Sequence, residues 1–218
     1  MLKTISIVAG LFGLAAALPA QTYPDTYKID YYSTAIPQVC DTVNQQTICQ
    51  AVPYDPDSTV RLTNAGTQIG STGDPSGNLC AMIYVFAPDQ QMAECCGCAL
   101  TPDALLTLSV LNDLTDNPLT PVHAGTGAIK IVSSTGAPTC NPAKPVPVAG
   151  IRAWATHVQG EILGQNPHTS VANFLTETAF SDGVLSAGEL KMLESKCGAI
   201  HNNGSGFGIC TCGVDGIL

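Results

Sequence analysis

Four residues near the C-terminus have the types and spacing of a metal site. Cys197 and His201 are four positions apart, so on a helix they would share one face. Cys210 and Cys212 follow a glycine-rich turn, and three sulfurs with one imidazole would complete a tetrahedral zinc site. Their C-x-C spacing differs from the C-x₂₋₄-C spacing that is usual in zinc sites. Zinc at these four residues is therefore an alternative hypothesis, and the preferred prediction is no metal and no other cofactor.

The cysteines as a group favour disulfide bonds. There are ten of them: Cys40, Cys49, Cys80, Cys95, Cys96, Cys98, Cys140, Cys197, Cys210 and Cys212. An even number of cysteines in an exported chain is typical of a disulfide framework, although the pairing cannot be read from the sequence. Because a bridge between adjacent residues would strain the backbone, we expect Cys95 and Cys96 to have different partners.

Three carboxylates and one histidine are the residues that would serve a hydrolase. Glu161, Glu177 and Asp182 include the residue types that a glycosidase pair needs. His157 with a carboxylate in a cleft would suit other hydrolytic chemistry. Their spacing selects no pair, and the sequence contains none of the motifs G-x-S-x-G, H-E-x-x-H or G-x-x-x-x-G-K-[ST]. We therefore assign no catalytic residue, and a secreted hydrolase acting on polysaccharide or peptide stays an alternative hypothesis.

Trp154, the only tryptophan, has two interpretations. At the surface its ring would stack on a sugar. The preferred interpretation is a residue of the core or of the sandwich cap, because large aromatic side chains are mostly buried.

Short apolar segments between glycine- and proline-rich turns predict an antiparallel β-sandwich. Cys80–Ala87 is almost continuously apolar, so we expect a central strand that is covered on both faces. One helical turn is expected between Pro88 and Cys98. Further strands are predicted at Val60–Thr63, Ala104–Leu111, Ala128–Ser133, Ile151–Val158 and Phe174–Phe180. The predicted fold is mainly β, an antiparallel sandwich of the immunoglobulin-like or a related type, crosslinked by disulfides and carrying a C-terminal helix.

The C-terminal helix is predicted at about residues 186–202. Ser186 and Glu189 form a capping box, in which each side chain would bond the backbone N–H of the other. Leu190, Leu193, Cys197 and Ile200 then make one apolar stripe. Since Cys197 lies on that stripe, we expect it to tie the helix to the sheet.

The N-terminal residues resemble an export signal. Lys3 precedes a short apolar run that ends in small residues, so residues 1–20 are predicted to be a signal peptide. No later stretch is long and apolar enough to cross a membrane as a helix. Residues 21–36 are rich in tyrosine and are predicted to be an N-terminal arm or an edge strand. Residues 37–218 are predicted to form a single β-rich domain.

Charge and composition narrow the function. Without Lys3 the chain has 7 basic and 17 acidic residues, a net charge of 7 − 17 = −10. Such a chain is repelled by phosphate backbones and anionic lipids, so nucleic acid is disfavoured as a partner. We predict a secreted or extracellular, non-enzymatic structural or interaction module of the cell surface or matrix. Its partner would be a protein, a glycan, or another copy of the chain joined through strand donation by residues 22–36.

Three segments carry a resemblance. Residues 180–190 (FSDGVLSAGEL), residues 203–210 (NGSGFGIC) and the Glu94–Cys98 cluster resemble segments of secreted bacterial proteins of unknown function. The resemblance would extend over most of the chain after residue 20. It implies a bacterial exported protein and brings no activity, cofactor or catalytic residue with it.

Overall fold

A computed structural model describes residues 22–34, 39–43, 46–50, 57–71, 74–116, 125–163 and 170–213. The predicted signal peptide, residues 1–20, lies outside the described residues. The strands in chain order are β1 (Thr22–Ser33), β2 (Val39–Val43), β3 (Gln46–Gln50), β4 (Thr59–Asn64), β5 (Leu79–Phe86), β6 (Met92–Leu100), β7 (Leu105–Ser109), β8 (Thr126–Thr135), β9 (Val146–Pro147), β10 (Ile151–Leu163), β11 (Ser170–Ala179) and β12 (Ser181–Ser186). A π-helical turn at Val110–Leu114 follows β7, and helix α1 (Ala187–Asn202) follows β12.

Two antiparallel sheets form a sandwich. The larger has the order β12-β1-β8-β5-β6, with β9 paired to β8, and the smaller has the order β11-β10-β4-β7. Side chains from both sheets share one buried cluster, in which Ile83 and Ile131 of the larger sheet join Leu62, Leu108 and Ala153 of the smaller. The predicted antiparallel sandwich with a C-terminal helix and disulfide crosslinks is confirmed.

The strand order is that of a related sandwich and not that of an immunoglobulin domain. In immunoglobulin domains the first strand pairs with the second. Here β1 pairs with β12 on one side and with β8 on the other. The first and last strands of the described chain are therefore neighbours in the larger sheet.

Strand β5 is buried along its whole length because both faces of its sheet are covered. Ala81, Ile83 and Val85 face the smaller sheet. Met82 and Tyr84 face the opposite way, into a second cluster that includes Leu193 of α1. Since side chains alternate along a strand, only a strand between two layers can be apolar at every position. The prediction of a doubly covered central strand is confirmed.

Strand β1 corrects the expected arm or edge strand. Its residues Tyr27–Ile29 pair with β12, and Tyr27–Ser33 pair with β8. Both edges of this tyrosine-rich segment are thus occupied by strands of the same chain. Donation of residues 22–36 to a neighbouring copy would require β1 to leave the interior of its sheet.

The segment before Cys98 also differs from the expectation. The sequence predicts one helical turn between Pro88 and Cys98, whereas Met92–Leu100 form β6, paired with β5. The strand is favoured because its residues fill buried positions next to β5 and its cysteines bond to distant parts of the chain. In the described part of the chain, no helix has both the length and the apolar character that a membrane crossing requires.

Helix α1 begins as the capping signal predicts. Ser186 is the N-cap, and its hydroxyl accepts a hydrogen bond from the Glu189 N–H at 3.1 Å. The Glu189 carboxylate does not complete a reciprocal box, because it accepts instead from the Tyr27 hydroxyl at 2.8 Å and from Lys130 Nζ at 2.7 Å. Leu193 and Cys197 are the buried residues of α1. The helix is therefore tied to the larger sheet through both polar and apolar contacts.

We expect Ser186→Ala to lower the free energy of unfolding by about 1 kcal/mol, because the substitution removes the acceptor for the Glu189 amide. Ser186→Asp is the matched control, since aspartate is an equally good N-cap and should leave stability within about 0.5 kcal/mol. Urea unfolding followed by circular dichroism measures both. Equal losses in the two variants would show that the cap does not stabilise the helix.

Candidate functional site

Strand β6 is the centre of the disulfide framework. Cys95 bonds to Cys197 of α1, with the Cα atoms 5.9 Å apart. Cys96 bonds to Cys210 and Cys98 to Cys212, with Cα separations of 5.1 and 5.5 Å. Another bond among the described side chains joins Cys80 of β5 to Cys140. Cys40 and Cys49 are register partners in the β2–β3 hairpin.

Alternation along β6 explains why the adjacent cysteines have different partners. Cys95 lies in the cluster that contains α1, while Cys96 and Cys98 lie in the cluster between the two sheets. Gly97 lies between these inward cysteines, where an added Cβ would be 2.5 Å from the carbonyl oxygen of Cys140. The expectation that Cys95 and Cys96 point to different partners is confirmed, as is the expected tie between Cys197 and the sheet.

The disulfides correct the metal hypothesis. Cys197, Cys210 and Cys212 are each bonded to a cysteine of β6, so none of the three offers a thiolate. His201 does lie beside one bond, since one of its nitrogens and the sulfurs of Cys95 and Cys197 fall within 4.8 Å of one another. That group has only one free ligand in the oxidised protein. A zinc site built from Cys197, His201, Cys210 and Cys212 is therefore incompatible with this structure.

The carboxylates considered for hydrolysis have separate partners. Glu177 accepts from Arg61, and Asp182 accepts from Lys28. Glu177 is the register partner of Thr156, the neighbour of His157, so Glu177 and His157 point to opposite faces of the smaller sheet. The side chain of Glu161 lies outside the described residues. The structure thus brings together none of the pairings of Glu177, Asp182 and His157 on which the hydrolase hypothesis depended.

His157 meets a carboxylate that sequence reasoning did not select. The histidine is fully buried on the inner face of the smaller sheet, with Nε2 2.8 Å from Thr178 Oγ1 and 3.6 Å from Asp30 Oδ2. The ring of Tyr31 stacks on the imidazole at 4.1 Å between centroids. Asp30 and Tyr31 belong to β1, so the group joins the two sheets. Only the pairing of β1 with the rest of the sandwich, which has no local sequence signal, brings these residues together.

The hydrogen bonds show what this group can do. The Thr178 hydroxyl donates to Asp30 Oδ2 at 3.2 Å. Because a hydroxyl carries one proton, the Thr178 oxygen that donates to Asp30 accepts from His157 Nε2. An imidazole acting as general base on Thr178 would have to accept that proton instead. In this arrangement the histidine is a buried donor that links β10 to β1.

The outer face of the smaller sheet carries Trp154. Ile151, Ala153 and Ala155 of β10 are buried, and Trp154 between them points away from the sandwich interior and is half-buried. Its register partners are Arg61 on β4 and Ala179 on β11. The preferred interpretation of Trp154 as a residue of the core or of the sandwich cap is therefore corrected to a half-buried position on the outer face of the smaller sheet.

Polar side chains surround Trp154 on this face. Arg61 and Glu177, with side chains 39% and 47% exposed, form an ion pair that crosses β10 next to Trp154. Thr107, the register partner of Arg61 on β7, is exposed, and Thr63 is half-buried two residues along β4. We call Trp154, Arg61, Glu177, Thr63 and Thr107 the tryptophan face. It presents one aromatic ring, one guanidinium, one carboxylate and two hydroxyls on the surface of a sheet.

Comparisons with protein-family models, with curated proteins and with solved structures found no significant match for this chain.

Proposed function

We propose that the protein is an exported, non-enzymatic interaction module that binds neutral glycan chains on the tryptophan face. The observation that carries the proposal is the placement of the only tryptophan on an outer sheet surface beside an exposed Arg61–Glu177 pair. An indole ring offers an apolar plane to the C–H face of a sugar ring. The ring of Trp154 is only half-buried, so part of it is accessible to such a ligand.

Export is supported by the cysteine chemistry. Four disulfides join described residues that are 60 to 114 positions apart in the chain. Bonds of this kind persist outside the reducing cytoplasm. The charged and apolar start of the sequence, with Lys3 before a run that ends in small residues, is the pattern that directs a chain to such a compartment.

The chemistry of the tryptophan face selects the class of ligand. The Arg61 guanidinium has several donors in one plane, and the Glu177 carboxylate is an acceptor, so together they match neighbouring hydroxyl groups. The formal charge of the whole chain is −9, which repels acidic polysaccharides. A neutral chain such as a glucan or a chitin oligosaccharide therefore fits better than an anionic one. Strand donation by residues 22–36 forms no part of the proposal, because β1 already has neighbours on both sides.

Tryptophan fluorescence tests the proposal directly, since Trp154 is the only tryptophan. Titration with neutral oligosaccharides, namely cello-, xylo- and chito-oligosaccharides of six units, should change its emission saturably for at least one of the three. Trp154→Ala should weaken that binding more than about tenfold, measured by calorimetry, because it removes the stacking surface. Trp154→Phe keeps a smaller ring and should weaken it only about threefold.

Val184→Ala is the matched control. Val184 is 69% exposed on β12 of the other sheet, so its truncation removes apolar surface without touching the tryptophan face. Its affinity for the same oligosaccharide should match that of the unaltered protein. Unchanged emission with all three oligosaccharides at about 10 mM, or equal losses in Trp154→Ala and Val184→Ala, would overturn the proposal.

A further inference from the structure

A cavity of about 470 Å³ opens between α1 and the larger sheet. It lies at the end of β5, where the chain turns towards β6, and at the start of β8. The apolar part of its wall includes Phe86, Pro88, Ala128 and Met192. Two lysines, Lys130 and Lys196, also line the cavity. The volume is within the range of about 300–1,000 Å³ that is common for small-molecule sites.

Alternation and helix spacing explain the composition of this wall. Phe86 of β5 and Ala128 of β8 lie on the face of the larger sheet that α1 covers. Leu193 and Cys197 fill the space directly beneath α1. Met192 and Lys196 are four residues apart, so they lie one above the other on the neighbouring stripe of α1, which lines the cavity. The cavity therefore has an apolar floor on the sheet and one basic side on the helix.

The two lysines differ in their partners. Lys130 Nζ donates to Glu189 Oε1 at 2.7 Å and lies 4.8 Å from the centre of the Phe86 ring, so its charge is balanced. Lys196 is half-buried and has no ion-pair partner among the described side chains. The cavity thus contains one uncompensated positive charge in a chain with 8 basic and 17 acidic residues. An apolar wall with a single unpaired cation is complementary to a molecule with an apolar body and one negative charge.

We propose that this cavity binds a small amphipathic carboxylate, with the carboxylate group at Lys196 and the hydrocarbon body against Phe86, Ala128 and Met192. The half-buried lysine would form a charge-assisted hydrogen bond, and the hydrocarbon would leave water on binding. This site is on the opposite side of the larger sheet from the tryptophan face. The proposal therefore does not depend on glycan binding.

Calorimetric titration of the oxidised protein with hexanoate, octanoate and decanoate tests the site. Affinity should rise about three- to fourfold for each added methylene group until the chain fills the cavity. Octanol, which has the same hydrocarbon body and no charge, should bind at least tenfold more weakly than octanoate. Absence of saturable binding by all three carboxylates up to their solubility limits would overturn the proposal, as would equal affinities for octanol and octanoate.

Two variants on the same helix test whether Lys196 binds the carboxylate group of the ligand. Lys196→Gln should weaken octanoate binding about tenfold while leaving octanol binding within twofold. Lys191→Gln is the matched control, because Lys191 is exposed on α1, does not line the cavity and loses the same charge. Equal losses in the two variants would show a general effect of net charge and would contradict the proposed position of the carboxylate.

A third variant tests the apolar part of the site. Ala128→Leu places three more carbon atoms in the cavity and should abolish binding of decanoate. Trp154→Ala should leave decanoate affinity within twofold, because Trp154 lies on the other sheet. Decanoate binding that survives Ala128→Leu in a variant with unchanged circular dichroism would place the ligand elsewhere and overturn the proposal.

Discussion

Removal of both carboxylates around Lys28, in the variant Asp25→Ala with Asp182→Ala, is expected to destabilise the protein by about 3 kcal/mol. The Lys28 side chain is only 2% exposed and donates to both Asp25 and Asp182. Loss of these acceptors leaves a buried charge without compensation, which is among the larger costs a substitution can cause. Lys28→Met should cost less than about 1 kcal/mol, because the remaining carboxylates are 43% and 65% exposed and can be solvated.

The exposed ion pair on the tryptophan face is the matched control for the buried Lys28 cluster. Arg61 and Glu177 are both substantially exposed, so Glu177→Ala should cost about 0–1 kcal/mol. Urea unfolding at pH 7 measures all three variants. A loss in the double aspartate variant no larger than that of Glu177→Ala would contradict the prediction, as would a Lys28→Met variant that loses as much as the double variant.

The pH dependence of stability gives a second readout of the same cluster. Hydrogen bonding by Lys28 is the main cause that lowers the pKa of Asp25, opposed by desolvation, and Arg152 lowers that pKa further from 3.2 Å away. A carboxyl group whose pKa is lower in the folded state stabilises the fold above its unfolded pKa of about 3.9. That contribution is lost as the pH falls from about 4 through the folded pKa. Stability should therefore drop more between pH 5 and pH 2.5 in the unaltered protein than in Lys28→Met.

The sequence correctly predicted those structural features that depend only on residues close together in the chain. The uninterrupted apolar run of β5 requires cover on both faces, and the sandwich and α1 provide it. Ser186 caps the start of α1 because its hydroxyl accepts a hydrogen bond from the amide of Glu189, three residues further along the chain. The divergence of Cys95 and Cys96 follows from the alternation of any strand. Each of these features depends on short stretches of chain.

Features that depend on which strands pair with each other could not be predicted from the sequence. A tyrosine-rich alternating strand looks the same at an edge and in the interior, and only the antiparallel pairing of β1 with β12 identifies its position. Trp154 is one of an alternating set, so the sequence gives its face relative to Ala153 and Ala155 but not which face the larger sheet covers. The contact of His157 with Asp30 joins residues that are distant in the chain. Such contacts are decided by the packing of two sheets, which leaves no local pattern.

Removal of both disulfides of the C-terminal segment, Cys96–Cys210 and Cys98–Cys212, is expected to cost more stability than the two single removals added together. The two bonds lie two positions apart in each of the segments that they join (98 − 96 = 2 and 212 − 210 = 2). With either bond present, the other closes only a very small loop. The Cys95–Cys197 bond already holds α1 to β6, and 13 positions of chain separate Cys197 from Cys210 (210 − 197 = 13). When one of the two bonds is absent, the other closes a loop of about 15 residues, which contributes about 3 kcal/mol in the chain-entropy account, and the small loop between the two bonds adds about 2 kcal/mol.

These loop lengths set the expected losses for paired alanine substitutions. Removal of either bond alone should lower the free energy of unfolding by about 2 kcal/mol, and removal of both by about 5 kcal/mol, which exceeds the sum of the single losses. Removal of Cys80–Cys140 is the control, because that bond closes a different loop between positions 60 apart. Its removal together with either bond of the C-terminal segment should lower the free energy of unfolding by the sum of the two single losses, within about 0.5 kcal/mol.

Hydrogen exchange distinguishes detachment of the C-terminal segment from destabilisation of the whole fold. The Cys95 N–H donates to the Gly208 carbonyl at 2.9 Å, so its protection reports whether the C-terminal segment still lies along the open edge of β6. The Cys95 amide should stay protected when either Cys96–Cys210 or Cys98–Cys212 is absent, and it should lose protection when both bonds are absent. The Val85 amide, in the buried strand β5, should stay protected in all three variants if they remain folded. Loss of Cys95 protection in a variant lacking only one bond would show that each bond is needed alone, and strictly additive stabilities would lead to the same conclusion.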